Sequence, residues 1–237
     1  MNITTNTFCW HGIATNMEAG LNFYPRVLGW DITGPADHPM FTAPGGEVAH
    51  IQPASDGPPA WCSFLSVDDV DASTAKAAEH GTVIVPPTDL PVGRFSVVAT
   101  PTGAVFGLYQ ADASDALAAP GPGSIHWVEL QSTAPETDLA WLTDVFGLTY
   151  TTQDMATGPY HVLQADGTPR GGVMASQSGR SVFMPWVHVA DLDDTIGKVG
   201  EHGGGVVMKG MADPEVGSMA VVRDPSGAVF GLVQPNA

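Results

Sequence analysis

The chain has few cysteines, few basic residues and no long apolar stretch. Cys9 and Cys62 are its only cysteines, too few for a disulfide framework, which favours a reducing cytoplasm. No positively charged start leads into an apolar run, so we expect no signal peptide. Gly, Pro or Asp interrupts every hydrophobic segment well before the roughly 18 residues of a spanning helix. We therefore expect a cytoplasmic protein with no membrane partner.

Basic residues are also scarce relative to acidic ones. The chain carries 8 Lys plus Arg against 25 Asp plus Glu, for a formal net charge of -17. Such a surface repels phosphate backbones, so nucleic acid is not an expected partner. With 43% hydrophobic and 14% charged residues among 237, the composition is that of a folded globular protein.

Internal repetition is the clearest feature that is present. The segment PTGAVFGLYQ at 101–110 recurs as PSGAVFGLVQ at 225–234, with eight of ten positions identical. Upstream, Glu79-His80-Gly81 recurs as Glu201-His202-Gly203. We therefore predict a first repeat over 1–112, an Ala/Pro/Gly linker over 113–123 and a second repeat over 124–237.

Each repeat alternates between strand-like and helix-like periodicity. Phe8 to Thr15 is predicted as a strand, and Met17 to Leu28 as a helix stopped by Gly29. After several short strands the pattern restarts, with a strand from Trp61 to Val67 and a helix from Asp69 to His80 capped by Gly81. This indicates an α+β fold of four βαβββ modules, forming two cup-shaped curved mixed sheets with helices on the outside.

These segments carry a family resemblance. The run from Cys9-Trp10 to Leu28-Gly29-Trp30, the Val67–Asp71 segment and the doubled PxGAVFGL ending resemble the vicinal-oxygen-chelate superfamily. That superfamily includes glyoxalases, bleomycin-resistance proteins and extradiol dioxygenases, and the chain is most similar to its two-repeat CFP-30 (27 kDa antigen) branch. The resemblance implies the fold, whereas one fold hosts many chemistries.

The resemblance also implies where metal ligands of the family would stand. First-strand ligands fall on Trp10 and Trp127, which cannot bind a metal. The fifth-strand and last-strand positions fall on Cys62 or Trp61, Met184 or Phe183, and then Gly107 and Gly231. We therefore expect no metal at the usual positions and no cofactor. The alternative is a divalent Fe, Mn, Ni or Zn ion on an altered ligand set that includes Glu129 and His188.

Strand alternation predicts which residues face each cup. For the first repeat they are Trp10, Gly12, Ala14, Cys62, Phe64, Ser66, Gly107 and Tyr109. For the second they are Trp127, Glu129, Gln131, Met184, Trp186, His188, Gly231 and Val233. The second cup is more polar, and Glu129 with His188 could act there as acid and base. The ordinary alternative is that Glu129 caps a structural hydrogen-bond network in a half-buried strand and that His188 only has its hydrogen bonds satisfied.

The aromatic residues suggest the ligand. A cup lined by Trp with few charges suits a flat apolar molecule, although the same rings could be core. We assign ligand contacts to seven residues: Trp10, Trp61, Phe64, Tyr109, Trp127, Gln131 and Trp186. The first hypothesis is a glyoxalase-like pocket, without the family metal, that binds or transforms an aromatic or carbonyl-bearing metabolite.

Two other functions stay open. One is a metal-dependent lyase, isomerase or dioxygenase, and the other is sequestration of an antibiotic or toxin without turnover. The partner expected in every case is a small molecule. The chain is expected to be a monomer built as an internal pseudo-dimer, or a homodimer.

Overall fold

The computed structural model describes residues 4–54, 57–111, 119–155 and 157–236, apart from the side chain of His126. Most of the predicted linker, 113–118, lies outside the described residues. The described chain forms four helices and sixteen strands in the order of four βαβββ modules, so the predicted fold is confirmed. Within these residues no helix is long and apolar enough to span a membrane.

The first repeat contains two successive modules. The elements of the first are β1 (Phe8–Thr15), α1 (Met17–Leu28), β2 (Asp31–Thr33), β3 (Met40–Ala43) and β4 (Gly46–Pro53). Those of the second are β5 (Ala60–Ser66), α2 (Val70–Ala77), β6 (Thr82–Leu90), β7 (Gly93–Ala99) and β8 (Val105–Ala111).

The second repeat has the same element order. Its first module contains β9 (Ile125–Ser132), α3 (Pro135–Phe146), β10 (Thr149–Met155), β11 (Gly158–Ala165) and β12 (Thr168–Ala175). Its second contains β13 (Val182–His188), α4 (Leu192–Glu201), β14 (Gly205–Asp213), β15 (Gly217–Arg223) and β16 (Val229–Pro235).

The strands form two mixed sheets of eight with the same topology. Their orders are β2-β3-β4-β1-β5-β8-β7-β6 and β10-β11-β12-β9-β13-β16-β15-β14. The strand pairs β1–β4, β5–β8, β9–β12 and β13–β16 are parallel, because a helix and further strands connect them. The consecutive modules of each repeat therefore contribute to one sheet.

Local sequence signals account for the helix ends. The side chains of Asn16, Asp69 and Asp191 accept hydrogen bonds from backbone N–H groups in the first turns of α1, α2 and α4. α1 ends at Gly29, as predicted, with a left-handed φ of 69° that glycine tolerates without Cβ strain.

Helix α2 ends earlier than the sequence suggests. It stops at Ala77, where His80 with a Gly81 cap was predicted, so that prediction is wrong at its C-terminal end. Ala78, the residue after the helix, has a right-handed helical backbone conformation. At Gly81 a Cβ atom would stand 2.5 Å from the carbonyl oxygen of Ala99. The close approach to β7 therefore requires glycine at position 81, while the Gly81 backbone N–H donates to the carbonyl of Ala77, the last residue of α2, at 2.9 Å.

The described chain divides into two compact units. Unit I contains residues 1–10, 63–116 and 127–183, and unit II contains residues 11–62, 117–126 and 184–237. In unit I, Phe106 packs against Trp141 and Phe183. In unit II, Tyr24 stacks on Trp30 with ring centroids 5.9 Å apart. The repeat boundaries predicted from the sequence stay predictions.

A buried aspartate braces each unit. In unit I, Asp138 of α3 accepts hydrogen bonds from the hydroxyl groups of Ser132 (2.6 Å) and Thr102 (2.5 Å). In unit II, Asp224 accepts them from the hydroxyls of Thr15 (2.7 Å) and Tyr24 (3.2 Å). Both aspartates are at most 1% exposed, so these hydrogen bonds replace the water that each carboxylate has lost.

Candidate functional site

Strand β9 presents its polar side chains on one face. Val128 and Leu130 are buried in the apolar core of unit I. Alternation puts Trp127, Glu129 and Gln131 on the other face, as predicted. The pairing with β12 places Glu129 opposite Gly172 and Gln131 opposite Met174.

The Glu129 carboxyl is the most unusual group on this face. The residue is only 6% exposed, and Gln131 donates a hydrogen bond from Nε2 to its Oε1 at 3.1 Å. Burial raises the pKa of Glu129 above its ordinary value of 4.5, while hydrogen bonds from Gln131 and Tyr160 act in the opposite direction. A buried carboxyl with a raised pKa can give up or accept a proton closer to neutral pH than an exposed one.

Tyr160 of β11 completes this cluster. Its hydroxyl oxygen accepts a hydrogen bond from the Nε1 of Trp127 at 2.8 Å and itself donates to Glu129. Burial and the nearby Glu129 charge raise the pKa of Tyr160, so the hydroxyl keeps its proton. Trp127 therefore donates to Tyr160, and Tyr160 donates to Glu129. All three residues belong to unit I.

Gly172 makes room for the Tyr160 hydroxyl. A Cβ atom on Gly172 would stand 2.0 Å from the hydroxyl oxygen and 2.4 Å from Cζ of Tyr160. Sequence reasoning missed Tyr160, and the available signal was the Gly171-Gly172 pair inside a strand. Glycine at such a position often marks the close approach of another group.

His188 lies at the end of β13 in unit II. It is half-buried. Its backbone N–H donates to the carbonyl of Ser124 at 2.9 Å, and its backbone carbonyl accepts from the N–H of Gly123 at 2.7 Å. Its pairing register places it opposite Val233. Since Glu129 belongs to unit I, the predicted acid–base pair of Glu129 with His188 stays a prediction.

The other predicted ligand contacts fall into two groups. Phe64 and Trp186 lie over glycines of neighbouring strands, and Tyr109 donates its hydroxyl to the carbonyl of Val92 at 2.7 Å. Trp10 is half-buried on β1. Trp61 instead packs in the core of unit II, with its ring 5.6 Å from that of Tyr24, so we leave it out of the pocket proposed below.

The residues at the family metal positions do not fit a metal ion. A side chain on Gly107 would begin 2.0 Å from the ring of Phe64, and one on Gly231 would begin 2.2 Å from the ring of Trp186. These rings fill the space through which a carboxylate ligand would have to extend. Across the described ranges, no group of three or more His, Cys, Asp and Glu side chains is placed to hold a metal.

The fold and this buried polar cluster define a glyoxalase-like small-molecule pocket protein. The family model described as Glyoxalase/Bleomycin resistance protein/Dioxygenase superfamily matches residues 13–108. CFP32 of Mycobacterium tuberculosis, which carries a provisional glyoxylase name, is 34% identical over 93% of this chain and 91% of its own. The chain therefore belongs to the glyoxalase/bleomycin-resistance/dioxygenase superfamily.

Other relatives extend the likeness. The anthracycline biosynthesis protein DauV of Streptomyces is 29% identical over 92% of this chain and 89% of its own. Among solved structures, a Mn(II)-bound glyoxalase from Novosphingobium aromaticivorans superposes with a TM-score of 0.70 at 18% identity, covering 98% of this chain and 82% of that one. The 2,3-dioxygenase LapB from Pseudomonas gives 0.67 at 14% identity over 100% and 94%. At these identities the two structures support the fold alone.

Proposed function

We propose that the second repeat binds an aromatic, carbonyl-bearing metabolite and exchanges a proton with it through Glu129, without the family metal. The buried Glu129 carboxyl, with Gln131 and Tyr160 as donors, carries this proposal. In its protonated form it donates to a ligand carbonyl, and in its ionised form it removes a proton next to one.

The ligand class has independent support. DauV and DnrV, two relatives at 29% and 28% identity, are named for anthracycline biosynthesis. Anthracyclines are planar aromatics that bear carbonyl groups. The ring of Trp127, beside the cluster, offers a flat apolar surface on which such a molecule stacks. A ligand of this shape therefore suits both the lining and the Glu129 carboxyl.

The test uses 1,8-dihydroxyanthraquinone as a planar carbonyl-bearing probe. Binding is followed by tryptophan fluorescence and calorimetry in the presence of a chelator. Glu129→Leu, which removes every donor and acceptor of this side chain, is expected to weaken binding about tenfold, the value of one buried hydrogen bond to a carboxyl. The control Glu47→Leu makes the same change at an exposed strand position and should change nothing. Equal affinity of Glu129→Leu and wild type would overturn the proposal.

A second set of measurements addresses proton exchange and metal. Elemental analysis of dialysed protein should find no stoichiometric Mn, Fe, Ni or Zn. Stoichiometric metal would refute the metal-free part of the proposal. If Glu129 exchanges protons with the ligand, Glu129→Gln should abolish the pH dependence of probe affinity, whereas a chelator should have no effect. A pH dependence that survives Glu129→Gln would overturn the assigned role.

A further inference from the structure

Strand β10 is an edge strand that buries none of its side chains. It lies at the end of its sheet and, within the part of the chain that the structure describes, pairs only with β11. All seven of its residues are exposed, whereas β11 buries His161, Leu163 and Ala165. The corresponding strand of the first repeat, β2, has only three residues. Burial of side chains within the chain therefore does not account for the length of β10.

The other three sheet edges carry features that discourage pairing with another chain. Strand β2 is short, and β6 contains Pro86 and Pro87, which have no N–H to donate. Strand β14 contains Gly210 with a left-handed φ of 78°, and its register with β15 shifts twice. Strand β10 contains no proline or glycine and pairs with β11 over its whole length without a register shift. Its outer edge is therefore a regular row of backbone donors and acceptors.

The composition of β10 also suits contact with a second copy of this chain. Its sequence, TYTTQDM, is rich in Thr and Tyr, which favour strands. With a net charge of -17, most surfaces of the protein repel another copy. Between positions 147 and 165, however, Asp154 is the only Asp, Glu, Lys or Arg residue. This hairpin is therefore a part of the chain where two copies meet with little repulsion.

An antiparallel pairing of β10 with its own copy has one full-length register. A two-fold axis perpendicular to the sheet keeps each face of the strand on the same side in both copies. When the axis passes through Thr152, all seven residues of β10 find a partner. Thr152 then lies opposite Thr152 of the second copy, Tyr150 lies opposite Asp154, and Thr151 lies opposite Gln153. The single carboxylate is thereby kept from facing its own copy.

The side chains in this register are chemically complementary. The Tyr150 hydroxyl can donate to the Asp154 carboxylate, and Thr and Gln side chains can hydrogen bond across the pair. Within the chain, His161 orients two of these residues on one face. The Thr152 hydroxyl lies 2.9 Å from its Nδ1, and the Tyr150 ring packs edge-on against the imidazole with centroids 5.5 Å apart. The strand is therefore ordered for pairing before a second copy arrives.

We propose that β10 is a self-association surface, at which two copies of this chain pair antiparallel about Thr152. A strand of seven residues at about 3.4 Å each gives a paired strip about 24 Å long. Such a strip buries less than the roughly 1,200 Å² of a stable complex, so the dimer is weak and dissociates with a Kd of about 10–100 µM. The pairing does not depend on the chemistry at Glu129.

Sedimentation velocity between about 1 and 500 µM tests the pairing, and wild type should pass from monomer to dimer over this range. Thr151→Lys combined with Gln153→Lys sets lysines opposite each other twice and should weaken the dimer about tenfold. Thr151→Lys combined with Gln153→Glu sets opposite charges against each other and should restore it. The control Thr82→Lys with Ile84→Lys adds the same charge to exposed positions of β6 and should leave the dimer unchanged. All three variants should keep the wild-type urea midpoint.

Cross-linking tests the register directly. At position 152 the two Cα atoms would be about 4.5–5.5 Å apart, within reach of a disulfide. Mild oxidation of Thr152→Cys should therefore give a covalent dimer, whereas Thr88→Cys on β6 should match wild type, which has Cys9 and Cys62 as its background.

Three results would overturn the proposal. The first is a wild-type chain that stays monomeric at about 500 µM, which would leave β10 to an extended peptide of another protein. The second is an equal effect of the two charge combinations at Thr151 and Gln153. The third is Thr152→Cys that cross-links no more than Thr88→Cys.

Discussion

Replacing Gly172 by alanine should disconnect the cluster around Glu129. The new Cβ would lie 2.0 Å from the hydroxyl oxygen of Tyr160 and 3.1 Å from Nε1 of Trp127, so the tyrosine ring must move. Its 2.8 Å hydrogen bond with Trp127 and its donation to Glu129 would both be lost. Gly172→Ala should therefore both destabilise the fold and disrupt the candidate site.

The cost of Gly172→Ala can be worked from these contacts. Overpacking in a close-packed region costs about 1–3 kcal/mol. Losing the Trp127–Tyr160 hydrogen bond adds about 1 kcal/mol. We therefore expect the free energy of unfolding to fall by about 2–4 kcal/mol, measured by urea denaturation with tryptophan fluorescence.

A double-mutant cycle isolates the cause. In a Tyr160→Ala background the clash is absent, so Gly172→Ala should cost less than about 1 kcal/mol. As a control, Gly197→Ala in helix α4 meets no atom within 4 Å and should be neutral or stabilise by about 0.5–1 kcal/mol. Additive costs of Gly172→Ala and Tyr160→Ala would refute the reasoning.

Three further predictions use the same denaturation assay. Because burial raises the pKa of folded Glu129 above 4.5, the stability of wild type relative to Glu129→Gln should be highest below about pH 4.5 and should fall as the pH rises through the folded pKa. The total fall should be about 1.4 kcal/mol for each pH unit between the unfolded and folded pKa values, and a pH-independent difference would contradict this. Asp224→Ala should lower the free energy of unfolding by about 3–5 kcal/mol, and Asp224→Asn should lower it clearly less, since the amide keeps one acceptor oxygen. The control Asp37→Ala, at an exposed position, should lower it little. Equal losses for both Asp224 variants would show that the charge of Asp224, not its acceptor oxygen, matters. Gly231→Glu should destabilise by more than about 2 kcal/mol and bind no metal, because Trp186 occupies the space, and Mn binding by this single variant would contradict that account.

Local patterns in the sequence predicted several elements closely. The bounds of β1 and α1 agree with Phe8–Thr15 and Met17–Leu28, because strict alternation and a glycine stop are local signals. The end of α2 was predicted wrongly. A glycine after a helical stretch is typical of a helix cap, but glycine is required at position 81 because the Ala99 carbonyl leaves no room for a Cβ atom. No local pattern in the sequence reveals that contact.

The candidate site was predictable only in part. Alternation along β9 correctly placed Glu129 and Gln131 on one face, since side-chain direction in a strand follows from position alone. Tyr160 was missed because its contact with Glu129 depends on the order of strands β11, β12 and β9 in the sheet. Trp61 was assigned to a ligand on composition, yet its ring packs against Tyr24 in a core.

The sequence by itself determined the duplication, the four βαβββ modules and the family resemblance, because repetition and periodicity are properties of the chain. Tertiary structure decided which ionisable groups meet. Strand register paired Glu129 with Gly172 and His50 with Gly12, residues separated by about 40 positions in each case. The same packing put aromatic rings over Gly107 and Gly231, where the family has a ligand. Contacts of this kind depend on distances across a sheet, which spacing along the chain does not encode.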